Sequence, residues 1–179
     1  MIIITGGAGF IGSNLLKALN DKNLNDILVV EELDRFEKKF NNLENMRFID
    51  CIDKNKFLNE LKSGSPKYKD IERIFHLGAC SKTTEPDREY IMDTNLKYSQ
   101  ELLHFCANNN KSLIYASSAS VYGESDNFSE IKDNESFLNH YAESKLLFDN
   151  YYRDNKHKIH SQVVGLRYFN VFGPMEDHK

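Results

Sequence analysis

Apolar positions in this chain fall into short continuous runs, and the stretches between them carry helical spacing. The first run, Ile2-Ile3-Ile4-Thr5, ends at a glycine cluster. Phe10, Ile11, Leu15, Ala18 and Leu19 then recur at the interval of an amphipathic helix. Further apolar runs at 27–30, 48–49, 74–77, 113–116 and 163–166 predict five more strands, the one at 48–49 being the weakest. Between them, Asp53 is positioned to cap a helix through Phe57, Leu58 and Leu61. Pro86 suits the first position of a long helix reaching about Ala107, and residues 141–153 predict another. Strands apolar on both faces, each followed by a helix, predict an α/β fold with a doubly wound parallel sheet. There is no internal repeat. Ser63-Gly64-Ser65-Pro66 and Asn108-Asn109-Asn110 read as surface turns.

Composition narrows the classes. A length of 179 residues fits one domain, and 40% hydrophobic residues with 28% charged exclude wholesale disorder. The net charge of −4 disfavours a sequence-independent nucleic-acid binder, so no nucleic-acid partner is expected. No apolar run approaches the length of a membrane span, and the start lacks the basic region of a signal peptide, so no membrane partner is expected either. Cys51, Cys80 and Cys106 are odd in number and widely spaced, which fits a reduced cytoplasmic protein without disulfide or metal site.

The strongest local signal is Thr5-Gly6-Gly7-Ala8-Gly9-Phe10-Ile11-Gly12. Gly7, Gly9 and Gly12 satisfy G-x-G-x-x-G; Gly6, Gly9 and Gly12 satisfy the wider G-x-x-G-x-x-G. Glycines here make a tight turn, admit a pyrophosphate close to the backbone and let the helix pack on the strand, whose partner helix offers its positive end. No Gly-Lys-[Ser/Thr] follows, so a P-loop is excluded. Glu31 ends the second strand, where an acid can hold ribose hydroxyls and favour NAD over NADP. Arg35, Lys38 and Lys39 follow and can offset it, leaving that choice open. Asp50 is expected to end the third strand, where it can accept from an adenine amine or simply cap the next helix.

Tyr141 and Lys145 lie four apart on one predicted helix face. An ammonium beside the phenol, together with the positive ring of a bound cofactor, is expected to lower its pKa and fit it for acid/base work during hydride transfer. Tyr152 and Lys156 repeat the spacing and read as helix surface. Only Tyr141 follows a strand running into Ser117-Ser118-Ala119-Ser120, whose hydroxyls can meet the same substrate oxygen. His76 reads as a packed strand histidine, Cys80 as a small loop residue, and Asn95 as either a cofactor contact or a bond to helix backbone.

These pieces, with His76-Leu77-Gly78-Ala79 and Arg167-Tyr168-Phe169-Asn170-Val171-Phe172-Gly173-Pro174, resemble the extended short-chain dehydrogenase/reductases, the NAD-dependent epimerase/dehydratase family. Within it, Gly78-Ala79-Cys80-Ser81-Lys82-Thr83-Thr84-Glu85 is most similar to the subfamily that epimerises ADP-heptoses at C6. The resemblance implies a bound NADP, or NAD in some relatives, that takes hydride from the sugar and returns it to the opposite face. It implies Tyr141 and Lys179 as opposed acid/bases, Ser118 at the reacting oxygen and Lys145 on the nicotinamide ribose. It further implies cofactor contacts at Phe10, Ile11, Glu31, Glu32, Lys39 (or Lys38), Lys54, Leu77, Gly78, Ala79, Cys80, Ser81, Asn95 and Val171, and a substrate contact at Asn170. Glu31-Glu32 departs from the usual Asp-Asn.

A 4,6-dehydratase would carry an acidic pair after Ser118, where Ala119-Ser120 stands. A UDP-hexose 4-epimerase shares the Tyr/Lys/Ser set, and a non-catalytic dinucleotide-binding module is the third reading. The resemblance implies that residues 1–179 form the dinucleotide-binding domain of a longer homo-oligomeric enzyme acting on a nucleotide sugar. Most of the substrate-binding region would then lie outside this chain, leaving it inactive alone.

Overall fold

The computed structural model describes residues 1–35 and 40–176. Six parallel strands form one sheet in the order β3-β2-β1-β4-β5-β6. They are β1 (Ile2–Thr5), β2 (Ile27–Glu31), β3 (Asp50–Asp53), β4 (Arg73–His76), β5 (Ser112–Ser118) and β6 (Val163–Tyr168). The connecting helices are α1 (Phe10–Asp21), α2 (Lys54–Lys62), α3 (Arg88–Ile91), α4 (Tyr98–Asn108) and α5 (His140–Asn155). Alternation along each strand sorts the core into two layers. Ile3, Leu28, Val30 and Ile74 face Phe57, Leu102, Leu103 and Phe148 of α2, α4 and α5. Ile2, Ile4, Ile27 and Val29 face Leu16 of α1 and Leu43. Burial on both faces explains why these strands read as unbroken apolar runs.

Local signals set the helix ends. The Asp53 carboxylate accepts from the N–H groups of Asn55 and Lys56 and starts α2, as expected. Asn139 caps α5 by accepting from Ala142 N. Asp87, rather than Pro86, starts the long helix, accepting from Tyr90 N. That helix is not regular: Met92–Lys97 is π-helical and separates α3 from α4.

The third strand differs from expectation. Phe48 and Ile49 lie before it; Ile49 donates one backbone bond to Ile27 and stays exposed. The ladder with β2 begins at Asp50, opposite Leu28, and ends at Asp53, opposite Glu31. An edge strand needs little apolar content, and Asp50-Cys51-Ile52-Asp53 buries only Ile52. Tyr152, expected on the helix surface, instead packs partly buried against the larger core layer.

Candidate active site

The sheet order reverses between β1 and β4, and at the carboxyl ends of these strands a cleft of about 680 Å³ opens. Ligands of open α/β sheets lodge at such a reversal. Its floor is the glycine turn. Gly6 adopts φ +69°, and a Cβ on it would stand 2.6 Å from Gly78 N. A Cβ on Gly12 would stand 2.1 Å from the Gly6 carbonyl oxygen. No side chain caps α1 at Gly9, so the positive end of its dipole faces the cleft. This tight backbone cradle at a helix start fits a dinucleotide pyrophosphate.

One wall carries the acidic residues after β2. Glu31 is buried, and its carboxylate accepts from Ala8 N at 2.8 Å. Glu32 pairs with Lys54 at 2.7 Å. The opposite wall is the strand β4 extension, residues 77–81. Gly6, Gly9, Phe10, Ile11, Gly12, Glu31, Glu32, Lys54, Leu77, Gly78, Ala79, Cys80, Ser81 and Val171 all line the cleft.

Ser118, Tyr141 and Lys145 line it too, at the end of β5 and on the first turns of α5. The Ser118 hydroxyl lies 2.8 Å from that of Ser120 and accepts from Ser120 N. Lys145 is buried and donates to the Ala116 carbonyl at 2.8 Å. Burial holds its ammonium down at about 8, against a smaller pull from Asp149. Burial pushes the Tyr141 pKa up, and an opposing hydrogen bond with Ser118 does not reverse it. The Lys145 ammonium, bonded to Ala116, stands 5.8 Å from the Tyr141 ring centroid.

Three expected residues sit elsewhere. Asp50 begins β3 rather than ending it, roughly 10 Å of strand from the carboxyl end that faces the cleft, because the ladder on β2 starts there. The residue ending β3 is Asp53, whose carboxylate is committed to α2. Asn95 is buried behind the wall: it accepts from Cys80 N, donates to the Cys80 carbonyl and donates to Ser144 Oγ. Asn170 is exposed between Phe169 and Val171, both of which line the cleft. The Arg35 side chain, Lys38, Lys39 and Lys179 lie outside the described residues.

The cleft also contains residues that sequence reasoning passed over. Val30, Ala116 and Tyr168 are at or near strand carboxyl ends, the rule that would have found them. Tyr90, Thr94 and Tyr98 recur every fourth residue along one helical face. His76 is packed as expected, hydrogen-bonded to Thr5 and Ser99, and burial with the nearby Lys145 charge lowers its pKa to about 3. Cys80 places its peptide, rather than any nucleophilic pairing, in contact with Asn95. Among the described residues no cluster of His, Cys, Asp and Glu is arranged to hold a metal ion, and no helix is long and apolar enough to cross a membrane.

Known structures share this fold. The Helicobacter pylori ADP-L-glycero-D-manno-heptose-6-epimerase is 34% identical over 99% of this chain and 57% of its own, with a TM-score of 0.81. A UDP-N-acetylglucosamine 4-epimerase from Methanobrevibacter ruminantium is 32% identical over 97% of this chain and 56% of its own, with a TM-score of 0.76. The Bacillus cereus UDP-glucuronic acid 4-epimerase, solved with UDP-glucuronic acid and NAD, is 28% identical over 98% of this chain and 58% of its own, with a TM-score of 0.80. This chain thus spans little more than half the length of each. A model of the NAD dependent epimerase/dehydratase family matches residues 2–179, so on cleft, topology and sequence together the chain belongs to that family.

Proposed function

We propose that this chain is the dinucleotide-binding part of a nucleotide-sugar epimerase that inverts C6 of ADP-D-glycero-D-manno-heptose. The observation that carries the reading is the single cleft uniting the glycine cradle with Ser118, Tyr141 and Lys145. The bound dinucleotide would supply a reversible hydride acceptor. The chain's own residues would do the rest. The backbone of residues 6–12 would hold the pyrophosphate, and the Lys145 ammonium the nicotinamide ribose. Ser118 would orient the reacting hydroxyl, and Tyr141 Oη would exchange that hydroxyl's proton when hydride is transferred on one face, the other face needing a second acid/base. Lys179 is proposed as the acid/base for the second face.

The Gly78 to Glu85 sequence and the identity to the Helicobacter pylori enzyme support the heptose substrate. Identity almost as high to a UDP-sugar 4-epimerase supports that reaction as the second reading. NADP is the proposed cofactor, with Lys54 as cation for its extra phosphate; the Glu32 carboxylate on Lys54 favours NAD instead. The sugar-recognition surface is assigned to further sequence of a longer protein, which we place as a homo-oligomer in the cytoplasm. On this reading the 179-residue chain binds dinucleotide weakly and turns over little.

Two measurements test this. Calorimetry with NADP and NAD on this chain reads the cofactor half; absence of heat with both would end it. NMR of ADP-D-glycero-D-manno-heptose and of UDP-glucose, each incubated with the full-length protein, reads the substrate half. Only the heptose should change configuration, and Tyr141→Phe should abolish the change. Conversion of UDP-glucose alone would transfer the reading to 4-epimerisation.

A further inference from the structure

His76 is buried with both ring nitrogens engaged, and the surrounding bonds allow one tautomer only. The Ser99 hydroxyl donates its single hydrogen to the Asn95 carbonyl one turn back. Its oxygen can therefore only accept from His76 Nε2, 2.8 Å away, which places the ring hydrogen there. Nδ1 is then bare and accepts from the Thr5 hydroxyl at 2.7 Å. Thr5 Oγ1 in turn accepts from Gly78 N at 3.1 Å.

The two arms of this chain end on the same piece of backbone. Through Thr5, His76 holds the N–H of Gly78. Through Ser99 it holds the helix at Asn95, whose side chain grips both the N–H and the carbonyl of Cys80. Residues 78–80 form the cleft wall packed on the glycine cradle, where Gly78 N and a Gly6 Cβ would be only 2.6 Å apart. That wall has no room to move closer to the cradle.

We propose that His76, locked in its Nε2–H tautomer, is a positioning residue that sets residues 78–80 from both ends and so holds the cleft at the width a dinucleotide needs. The π-helical turns carry out the second half of this job, since they bring Asn95 against Cys80 while Thr94 and Tyr98 still face the cleft. His76 touches no reacting atom; it acts through Thr5, Ser99 and Asn95.

The inference rests on the proposed function only for its affinity readout, so two readouts are paired. Amide hydrogen exchange of Gly78 and Cys80, measured by NMR on the protein without ligand, reads the wall directly. Calorimetric affinity for NADP and NAD reads its consequence. Thr5→Val keeps the shape of the side chain and removes the hydroxyl; Thr5→Ser restores it. Thr5→Val should speed Gly78 exchange at least tenfold, leave Cys80 nearly unchanged and weaken dinucleotide binding about tenfold. Thr5→Ser should stay within about twofold of the parent in all three. His76→Phe should speed both amides together.

All comparisons are made at a temperature where each variant is folded, so a general loss of stability does not mimic the pattern. Unchanged Gly78 exchange in Thr5→Val overturns the inference, and so does a Thr5→Ser variant no better than Thr5→Val. If the exchange pattern holds while the parent chain binds neither dinucleotide, the functional reading falls and the positioning role stands.

Discussion

The carboxylate of Glu31 accepts the backbone N–H of Ala8 at 2.8 Å, tying the end of β2 to the middle of the glycine turn. This acid is buried, so its first structural duty is to the turn itself. Removing it leaves a buried N–H without a partner, which costs about 1–3 kcal/mol. Glu31→Ala should lower the urea unfolding free energy by that amount. Glu31→Gln, which keeps an acceptor oxygen, should lose clearly less; equal losses would show that the bond contributes nothing.

A methyl group at Gly12 would stand 2.1 Å from the Gly6 carbonyl oxygen and 2.7 Å from Gly7 Cα, both backbone atoms. Neither can swing aside as a side chain would. Gly12→Ala should therefore cost about 1–3 kcal/mol and shift the turn, abolishing calorimetric binding of either dinucleotide. A Gly64→Ala control meets no atom within 4 Å; its left-handed φ of +69° strains it, yet far from the cleft, so binding should survive.

His76 titrates near 3 in the folded chain, below its ordinary 6.5, because burial and the Lys145 charge both disfavour the protonated ring. The unfolded chain therefore binds the proton first. Between pH 6.5 and 3 it holds more protons than the folded one, so stability falls as pH falls through this window. The effect is on the order of a few kcal/mol. Urea midpoints of the parent should drop across that range more steeply than those of His76→Asn, whose side chain has no such titration. Parallel curves would exclude this histidine as the cause.

Glu135 joins α5 and β6. Its carboxylate pairs with Arg153 on α5 and Arg167 on β6, and Arg167 also reaches Asp149 at 3.2 Å. Burial alone would raise the Glu135 carboxyl, and the hydrogen bonds from the two arginines overcome it and hold it low. Removing one partner from a buried pair leaves the other charge uncompensated. Glu135→Gln should cost about 3 kcal/mol by thermal or urea unfolding, and Glu135→Leu more; a loss under about 1 kcal/mol would mean that the arginines find solvent instead.

Much of this site was legible before any coordinates. The glycine spacing, Ser118 and the Tyr141/Lys145 pair are local patterns, and strands buried on both faces announce a parallel sheet whose carboxyl ends gather them. The illegible parts depend on who pairs with whom. Phe48-Ile49 looks more like a strand than Asp50-Cys51-Ile52-Asp53, but the ladder on β2 selects the latter. Nothing in residues 92–97 marks a π-helix, and so the Asn95 grip on Cys80 could not be foreseen. Four-residue spacing fixes the face that Tyr141 and Lys145 share, not the Ala116 carbonyl to which the ammonium points.

The central place of β1 has a kinetic meaning. β1 pairs on one side with β2 and on the other with β4, where Thr5 and His76 are 71 residues apart. Such long-range closure is slow relative to local helix formation. The glycine turn can meet its opposite wall at Gly78 only once that strand has arrived, so the ligand cradle is completed late in folding, after its glycines have waited through the synthesis of two strands and two helices.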